Sequence, residues 1–123
     1  IRPLPQERKD RIFQQFLISL HRNFRVHREV AFYAGQQCLT PRYFSTVVRE
    51  KTGRSALRWI TATVVAEAKK MLSDPALSVK EIADALGFPN QSFFGRYFRQ
   101  YTGISPTEFR SGGPKRGSEA VSA

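Results

Sequence analysis

Cysteine is nearly absent from this 123-residue chain. Cys38 stands alone, which excludes an intrachain disulfide and a cysteine-rich metal site. The two histidines, His21 and His27, have a spacing that suits neither one helix face nor a metal pair with nearby carboxylates, so no metal and no cofactor is expected. Acidic residues are also few: 10 Asp and Glu stand against 20 Lys and Arg, for a formal net charge of +10. No apolar run approaches the ~18–20 residues that span a bilayer, and no signal-peptide pattern opens the chain. A Ser/His/Asp grouping, a paired-carboxylate site and a phosphate-cradling glycine loop are missing too, so no catalysis is expected. The length suits one compact domain, or two very small ones sharing a core. Because it opens on Ile1 rather than Met, it reads as a segment of a longer protein.

What the chain does have is a repeat. Thr52-Gly53-Arg54-Ser55 returns as Thr102-Gly103-Ile104-Ser105 at an offset of 50. The same offset carries Tyr43-Phe44 onto Phe93-Phe94, Arg49 onto Arg99 and Trp59 onto Phe109. Upstream the offset is 49, taking Val30, Tyr33 and Ala34 onto Val79, Ile82 and Ala83. The second copy therefore holds one extra residue between the halves of the unit. A period of this length with a polar, Gly-bearing middle predicts two helix–turn–helix copies.

Helix signals dominate the chain, and an all-α fold of about seven helices is predicted. Residues Gln6 to Phe24 place Ile12, Phe13, Phe16, Leu17, Leu20 and Phe24 on one stripe. A short helix from about Glu29 to Gln37 turns Val30, Tyr33 and Ala34 inward. Thr40 reads as an N-cap with Pro41 at the first helical position, and Gly53 stops that helix. Ser55 caps a linking helix that carries Leu57, Ile60, Val64, Ala68, Met71 and Leu72 to Ser73-Asp74-Pro75. From Ala56 to Ser73 it is roughly 27 Å long at 1.5 Å per residue, and it sets the distance and phase of the two copies. Ser78 with Glu81, and Ser105 with Glu108, are capping boxes. Gly87 supplies the second turn, Asn90 caps the next helix and Gly103 ends it. Residues 1–5 read as a linker, 6–110 as the folded domain and 111–123 as a disordered tail with almost nothing to bury. The helix–turn–helix units cover about 29–52 and 78–102, with the linking helix at about 55–73.

The exposed faces point to function. Opposite the core residues Phe44, Val47 and Val48, the first unit presents Arg42, Ser45, Thr46 and Arg49 at i, i+3, i+4 and i+7. Opposite Phe94, Tyr97, Phe98 and Tyr101, the second presents Ser92, Gly95, Arg96 and Arg99 at the same spacing, with Gln91 at the helix start. Between Val30 and Ala66 the basic residues are Arg42, Arg49, Lys51, Arg54 and Arg58, with Glu50 the one acid. Between Ala85 and Thr107 there is no acid at all. A basic excess implies a polyanionic partner, nucleic acid or an anionic membrane face, set against a surface kept basic for solubility. Arg, Ser, Thr and Gln are the types that bond phosphates and base edges, and the matching register favours duplex DNA.

These residues carry a family resemblance. Ile82-Ala83-Asp84-Ala85-Leu86-Gly87-Phe88, Gln91-Ser92-Phe93-Phe94, Phe98, Tyr101-Thr102-Gly103-Ile104-Ser105-Pro106 and Phe109-Arg110 closely resemble the signature of the AraC/XylS regulators. Leu39-Thr40-Pro41-Arg42-Tyr43-Phe44-Ser45 resembles that family's first helix–turn–helix. The resemblance covers roughly Ile12 to Arg110. It implies a bacterial transcription regulator whose seven-helix, homeodomain-like region joins two helix–turn–helix units by a long linking helix. By position it implies that Arg42, Ser45, Thr46, Gln91, Ser92 and Arg96 face bases. Thr40, Arg49, Arg54, Asn90 and Arg99 would face the backbone or the groove edge. The partners implied are double-stranded DNA and RNA polymerase, with an N-terminal effector or dimerisation domain elsewhere in the protein and no membrane. The setting implied is cytoplasmic and nucleoid-associated.

Two positions depart from the pattern. Cys38 stands where the second unit has Gly87, and is expected to be a small buried apolar residue rather than a redox sensor. Gly95 occupies a reading position in mid-helix at an intrinsic cost of ~1 kcal/mol relative to Ala; either it lets the backbone approach DNA or it is simply tolerated. Trp59 and Phe109 are expected as core anchors, while Tyr43 and Phe93 border the core stripe. Two other classes stay in view: a helical module whose basic face meets an acidic protein or RNA, and a fragment of a larger enzyme.

Overall fold

The computed structural model describes residues 6–112. The linker assigned to residues 1–5 and the tail beyond Gly112 lie outside them. Seven helices and no strand occur among the described residues: α1 (Gln6–Asn23), α2 (Val30–Gln36), α3 (Pro41–Thr52), α4 (Ala56–Leu72), α5 (Val79–Ala85), α6 (Gln91–Thr102) and α7 (Pro106–Arg110). The chain divides into two compact units, Ile1–Thr63 and Val64–Ala123, and α4 contributes residues to each.

In the first unit α1 packs on α2 and α3. Its period-3.6 stripe buries Ile12, Phe13, Phe16 and Leu20 against Tyr33, Ala34, Phe44, Val47 and Val48. Phe16 lies at the centre, edge-to-face with Tyr33 at 5.6 Å and Phe44 at 5.1 Å between centroids. Burial of one such ring contributes about 1.5–3 kcal/mol. Tyr33 donates its hydroxyl to the His27 carbonyl at 2.7 Å, and burial followed by the nearby Glu29 pushes its ionisation up to about 12. Phe13 meets the Trp59 ring edge-on at 5.3 Å. At the surface, Lys9 pairs with Glu50 at 3.2 Å and Lys51 pairs with Asp10, linking α1 to the last turn of α3. Lys51 holds the Asp10 carboxyl below its usual value.

In the second unit α5 packs on α6 and α6 on α7. Its core is Val64, Ala68, Leu72, Ile82, Ala83, Leu86, Phe88, Phe94 and Phe98. Arg110 ties the end of α4 to the loop that follows. Its guanidinium donates to the carbonyls of Leu72 (3.1 Å), Asp74 (3.2 Å) and Leu77 (2.6 Å), which occupies a C-terminal helix carbonyl that would otherwise lack a donor.

The repeat predicted from sequence recurs in the hydrogen bonds. Leu39 N–H reaches Ala34 O at 3.0 Å, and Phe88 N–H reaches Ala83 O at 3.0 Å, the six-to-one bond of a helix stop that turns through a left-handed residue. The N-caps Thr40 and Asn90 accept from Tyr43 and Phe93 N–H at 3.1 and 2.8 Å. The turn is thus in register at 49 and the caps at 50, which makes Pro89 the extra residue. Gly53 and Gly103 end α3 and α6 with φ of 76° and 87°. The hydroxyls of Thr52 and Thr102 lie 2.8 Å from Val48 O and Phe98 O and accept from Arg54 and Ile104 N–H.

Five burial expectations need correction. Cys38 is exposed, not buried, because it takes the left-handed conformation of the turn (φ 59°) where the second unit uses Gly87 (φ 78°). Leu57 is exposed and Met71 only half-buried. The buried stripe of α4 runs Ala56, Ile60, Val64, Ala68 and Leu72, a strict i+4 row that leaves Leu57 ~100° round the helix. Tyr101 is exposed too, its ring lying against Tyr97 at 5.0 Å in the last turn of α6. Val30 is half-buried rather than fully inward.

Candidate nucleic-acid interface

The reading face of α3 is built by its cap. Thr40 fixes the first turn and Pro41 removes an N–H that would have had no partner, so Arg42 begins the exposed row. Arg42, Thr46 and Arg49 are exposed and Ser45 is half-buried. Thr46 donates its hydroxyl to the Arg42 carbonyl at 3.0 Å, so that oxygen is engaged with its own helix. Arg54 lies over the Trp59 ring at 5.0 Å. Trp59 itself is half-buried, and its indole N–H donates to Thr52 Oγ1 at 3.0 Å, so it anchors the turn as expected.

On α6 the cap is Asn90, and Gln91, Ser92, Arg96 and Arg99 are exposed. Asn90, Gln91 and Ser92 share an open depression of about 320 Å³ with Lys80, Asp84 and Pro89. Lys80 and Asp84 pair along α5, one turn apart, at 3.4 Å. Gly95 is half-buried, and a Cβ built there would meet only Pro106 Cδ at 4.0 Å, an ordinary contact towards α7. Arg96 lies over the Phe93 ring at 5.6 Å. Phe109 stands edge-on to Phe98 at 5.7 Å, the anchoring role expected for it.

Each unit therefore places its predicted side chains on one helix and its cap, except Arg54, which lies in the turn beyond α3. Thr40 and Asn90 are the exceptions in chemistry, since their side-chain oxygens already accept from their own helix. Two further groups stand at these faces. Lys80 and Asp84 share the depression at the start of α6 although they belong to α5, and no local pattern signals that. Arg58 occupies the N3 position of α4, exposed, at the place where α7 has Glu108. The repeat offset was a sufficient signal for it. Ser55 still accepts from Arg58 N–H at 3.1 Å, but the carboxylate that closes the box at Ser105 is replaced by a cation.

Among the described residues no group of His, Cys, Asp and Glu could hold a metal ion, and no helix is long and apolar enough to cross a membrane. Two exposed helix faces remain, basic and polar and without a carboxylate of their own. They suit a partner that offers phosphates and hydrogen-bonding edges.

A family profile described as a helix-turn-helix domain matches residues 33–112. The chain is 35% identical over 86 residues to the arabinose operon regulatory protein of Salmonella typhimurium, covering 70% of this chain and 31% of that protein. It is 31% identical over 110 residues to the HTH-type transcriptional regulator RipA of Corynebacterium glutamicum, covering 89% of this chain and 32% of that protein. It thus spans less than a third of either relative's length. Among solved structures, the DNA-binding domain of the global transcriptional factor AdpA, in complex with a target DNA, superposes with a TM-score of 0.69 at 25% identity, covering 81% of this chain and 89% of that one.

Proposed function

The chain belongs to the AraC-type helix–turn–helix family of DNA-binding domains, and from that premise we propose that α3 and α6 read a specific duplex DNA sequence and so regulate transcription. The observation that carries this reading is the pair of rows at matching register, Arg42/Ser45/Thr46/Arg49 and Ser92/Gly95/Arg96/Arg99, exposed except for the half-buried Ser45 and Gly95 and neither containing an acid. A recognition helix enters the major groove with its N-terminal half towards base edges. Arg42, Ser45 and Thr46 on α3, and Gln91, Ser92 and Arg96 on α6, then face bases. Arg49, Arg54 and Arg99 meet phosphates, while Thr40 and Asn90 present the capped helix starts to the backbone. Two readers in one chain would engage successive major-groove segments, ~34 Å apart on straight B-DNA.

In this reading residues 6–110 are the DNA-binding domain. Contact with RNA polymerase, an effector or dimerisation domain elsewhere in the protein, and a cytoplasmic, nucleoid-associated setting extend it on the strength of the family.

Affinity for a duplex selected from random sequence, measured across a salt series, tests the proposal. The logarithm of the binding constant should fall linearly with the logarithm of salt, with a slope reflecting on the order of 6–10 neutralised phosphates. Absence of duplex binding at low salt, or an affinity indifferent to salt, would contradict it.

A further inference from the structure

The second reading helix is poor in side chains at its centre. Gly95 has none, and the exposed row there depends on Arg96. Beside it stands Phe93, a large apolar ring that remains 43% exposed at the start of α6. Burial does not explain that ring, for its own neighbour Phe88 is the residue that fills the core. Phe88 lies 6.2 Å from Phe93 between centroids, so the ring is backed by a fixed wall. The Phe93 N–H is fixed as well, by Asn90 Oδ1 at 2.8 Å. The Arg96 guanidinium lies over the ring, 5.6 Å from its centroid, at the i, i+3 spacing that brings side chains of one helix face together.

The first reader lacks this arrangement. Its counterparts at the same offset are Tyr43 and Thr46, and Thr46 is turned onto the Arg42 carbonyl. Only the second reader holds its base-facing cation on an aromatic plane.

We propose that Phe93 is a positioning residue for base readout: its ring holds Arg96 in the orientation from which the guanidinium meets a base edge, and so sets the sequence preference of the second reader. The inference rests on the assignment of Arg96 to base reading made above. An arginine bonds guanine through O6 and N7 with two parallel N–H groups, which demands a fixed guanidinium plane. A free arginine side chain loses rotamer freedom on being fixed, and a planar platform removes part of that loss before DNA arrives. The ring faces the cation with its negative quadrupole.

The test compares sequence preferences of Phe93→Leu, Phe93→Tyr, Arg96→Ala and the Phe93→Leu/Arg96→Ala double variant on duplexes with every base substituted in turn. Arg96→Ala defines the base pairs that depend on it. Phe93→Leu keeps apolar bulk but removes the aromatic face, and should lower discrimination at those same base pairs by about two- to fivefold, the range of an exposed cation–aromatic contact. Positions that depend on Arg42 should be untouched, and Phe93→Tyr should restore the wild-type preference. In the Arg96→Ala background Phe93→Leu should change discrimination no further. If Phe93→Leu instead weakens all sequences equally, or its effect adds to that of Arg96→Ala, the positioning role is overturned. If Arg96→Ala itself leaves every preference intact, it is the assignment of Arg96 that fails, and the two failures are told apart in one experiment.

Discussion

Position for position, the first unit carries Arg42, Lys51, Arg54 and Arg58 where the second carries Ser92, Tyr101, Ile104 and Glu108. The difference extends through the chain: residues 1–63 hold twelve Lys and Arg against four Asp and Glu, and residues 64–123 hold eight against six. Yet the two copies keep the same caps, the same left-handed stops and the same threonine hydroxyls bridging the end of one helix to the next turn. What is shared satisfies backbone groups, and so is required for either copy to fold. What differs lies at or near the surface, where Lys51 pairs with Asp10, Arg54 covers Trp59 and Glu108 closes its cap, and neither copy's helix stops depend on it. On this account attraction to phosphate resides chiefly in the first unit, and the second depends on a few well-placed side chains.

The cores offer the largest way to test how separate the copies are. Phe16→Ala removes the ring on which Tyr33 and Phe44 both pack, and should destabilise the first unit by about 3–5 kcal/mol. Amide exchange should then accelerate across α1–α3 while α5 and α6 keep their protection. Equal acceleration everywhere would show that the copies unfold as one.

Charge is the next contrast. Arg49→Ala and Arg54→Ala should each reduce the salt slope of duplex binding by about 0.9, the value of one phosphate contact. Together they should weaken binding to all sequences alike. Arg99→Ala should act in the same sense but leave most of the slope in place. A larger loss from Arg99→Ala would reverse the comparison and place the electrostatic anchor in the second unit.

The helix stops differ by one residue type. Cys38 adopts φ 59° where Gly87 adopts 78°, and a side chain in that region costs about 1–2 kcal/mol. Cys38→Gly should therefore raise stability, and Gly87→Ala should lower it, each by about 1 kcal/mol as read by denaturant midpoint. The smallest effect concerns the third residue of α4. Glu108 accepts Ser105 N–H at 2.8 Å, and that bond holds its carboxyl below the ordinary value. Its stabilising contribution is therefore complete above the ordinary carboxylate range and is lost as pH falls through the lowered value. Arg58→Glu should build the same box in the first unit. A gain of about 0.3–1 kcal/mol in stability should appear at neutral pH and fade in acid, while duplex affinity falls.

Much of this was legible in the residues because caps and stops are local. Ser78-x-x-Glu81, Thr40-Pro41 and Gly103 specify their own hydrogen bonds over three or four positions, and each forms as predicted. Cys38 was half legible: its alignment with Gly87 gives away the left-handed turn, yet cysteine chemistry suggested burial. The stripe of α4 was misread at Leu57 because Ala56 and Leu57 fit a helical period equally well, and only the packing chooses between them. Arg110 and Phe93 were the least legible. One binds carbonyls more than thirty residues away in sequence, and the other owes its role to an arginine lying across its ring. The first leaves no local pattern, and the second only an i, i+3 spacing that many aromatic–arginine pairs share.

The central claim is that α3 and α6 read two separate stretches of one DNA duplex. It is tested most directly by the base preferences of Arg42→Ala and Arg96→Ala across a randomised duplex library at near-physiological salt. The account predicts that each variant relaxes a small set of positions, with a loss of ~1–3 kcal/mol per bidentate contact, and that the two sets lie about one helical turn apart. Unchanged preference in both variants, or loss at one and the same set of positions, would contradict it.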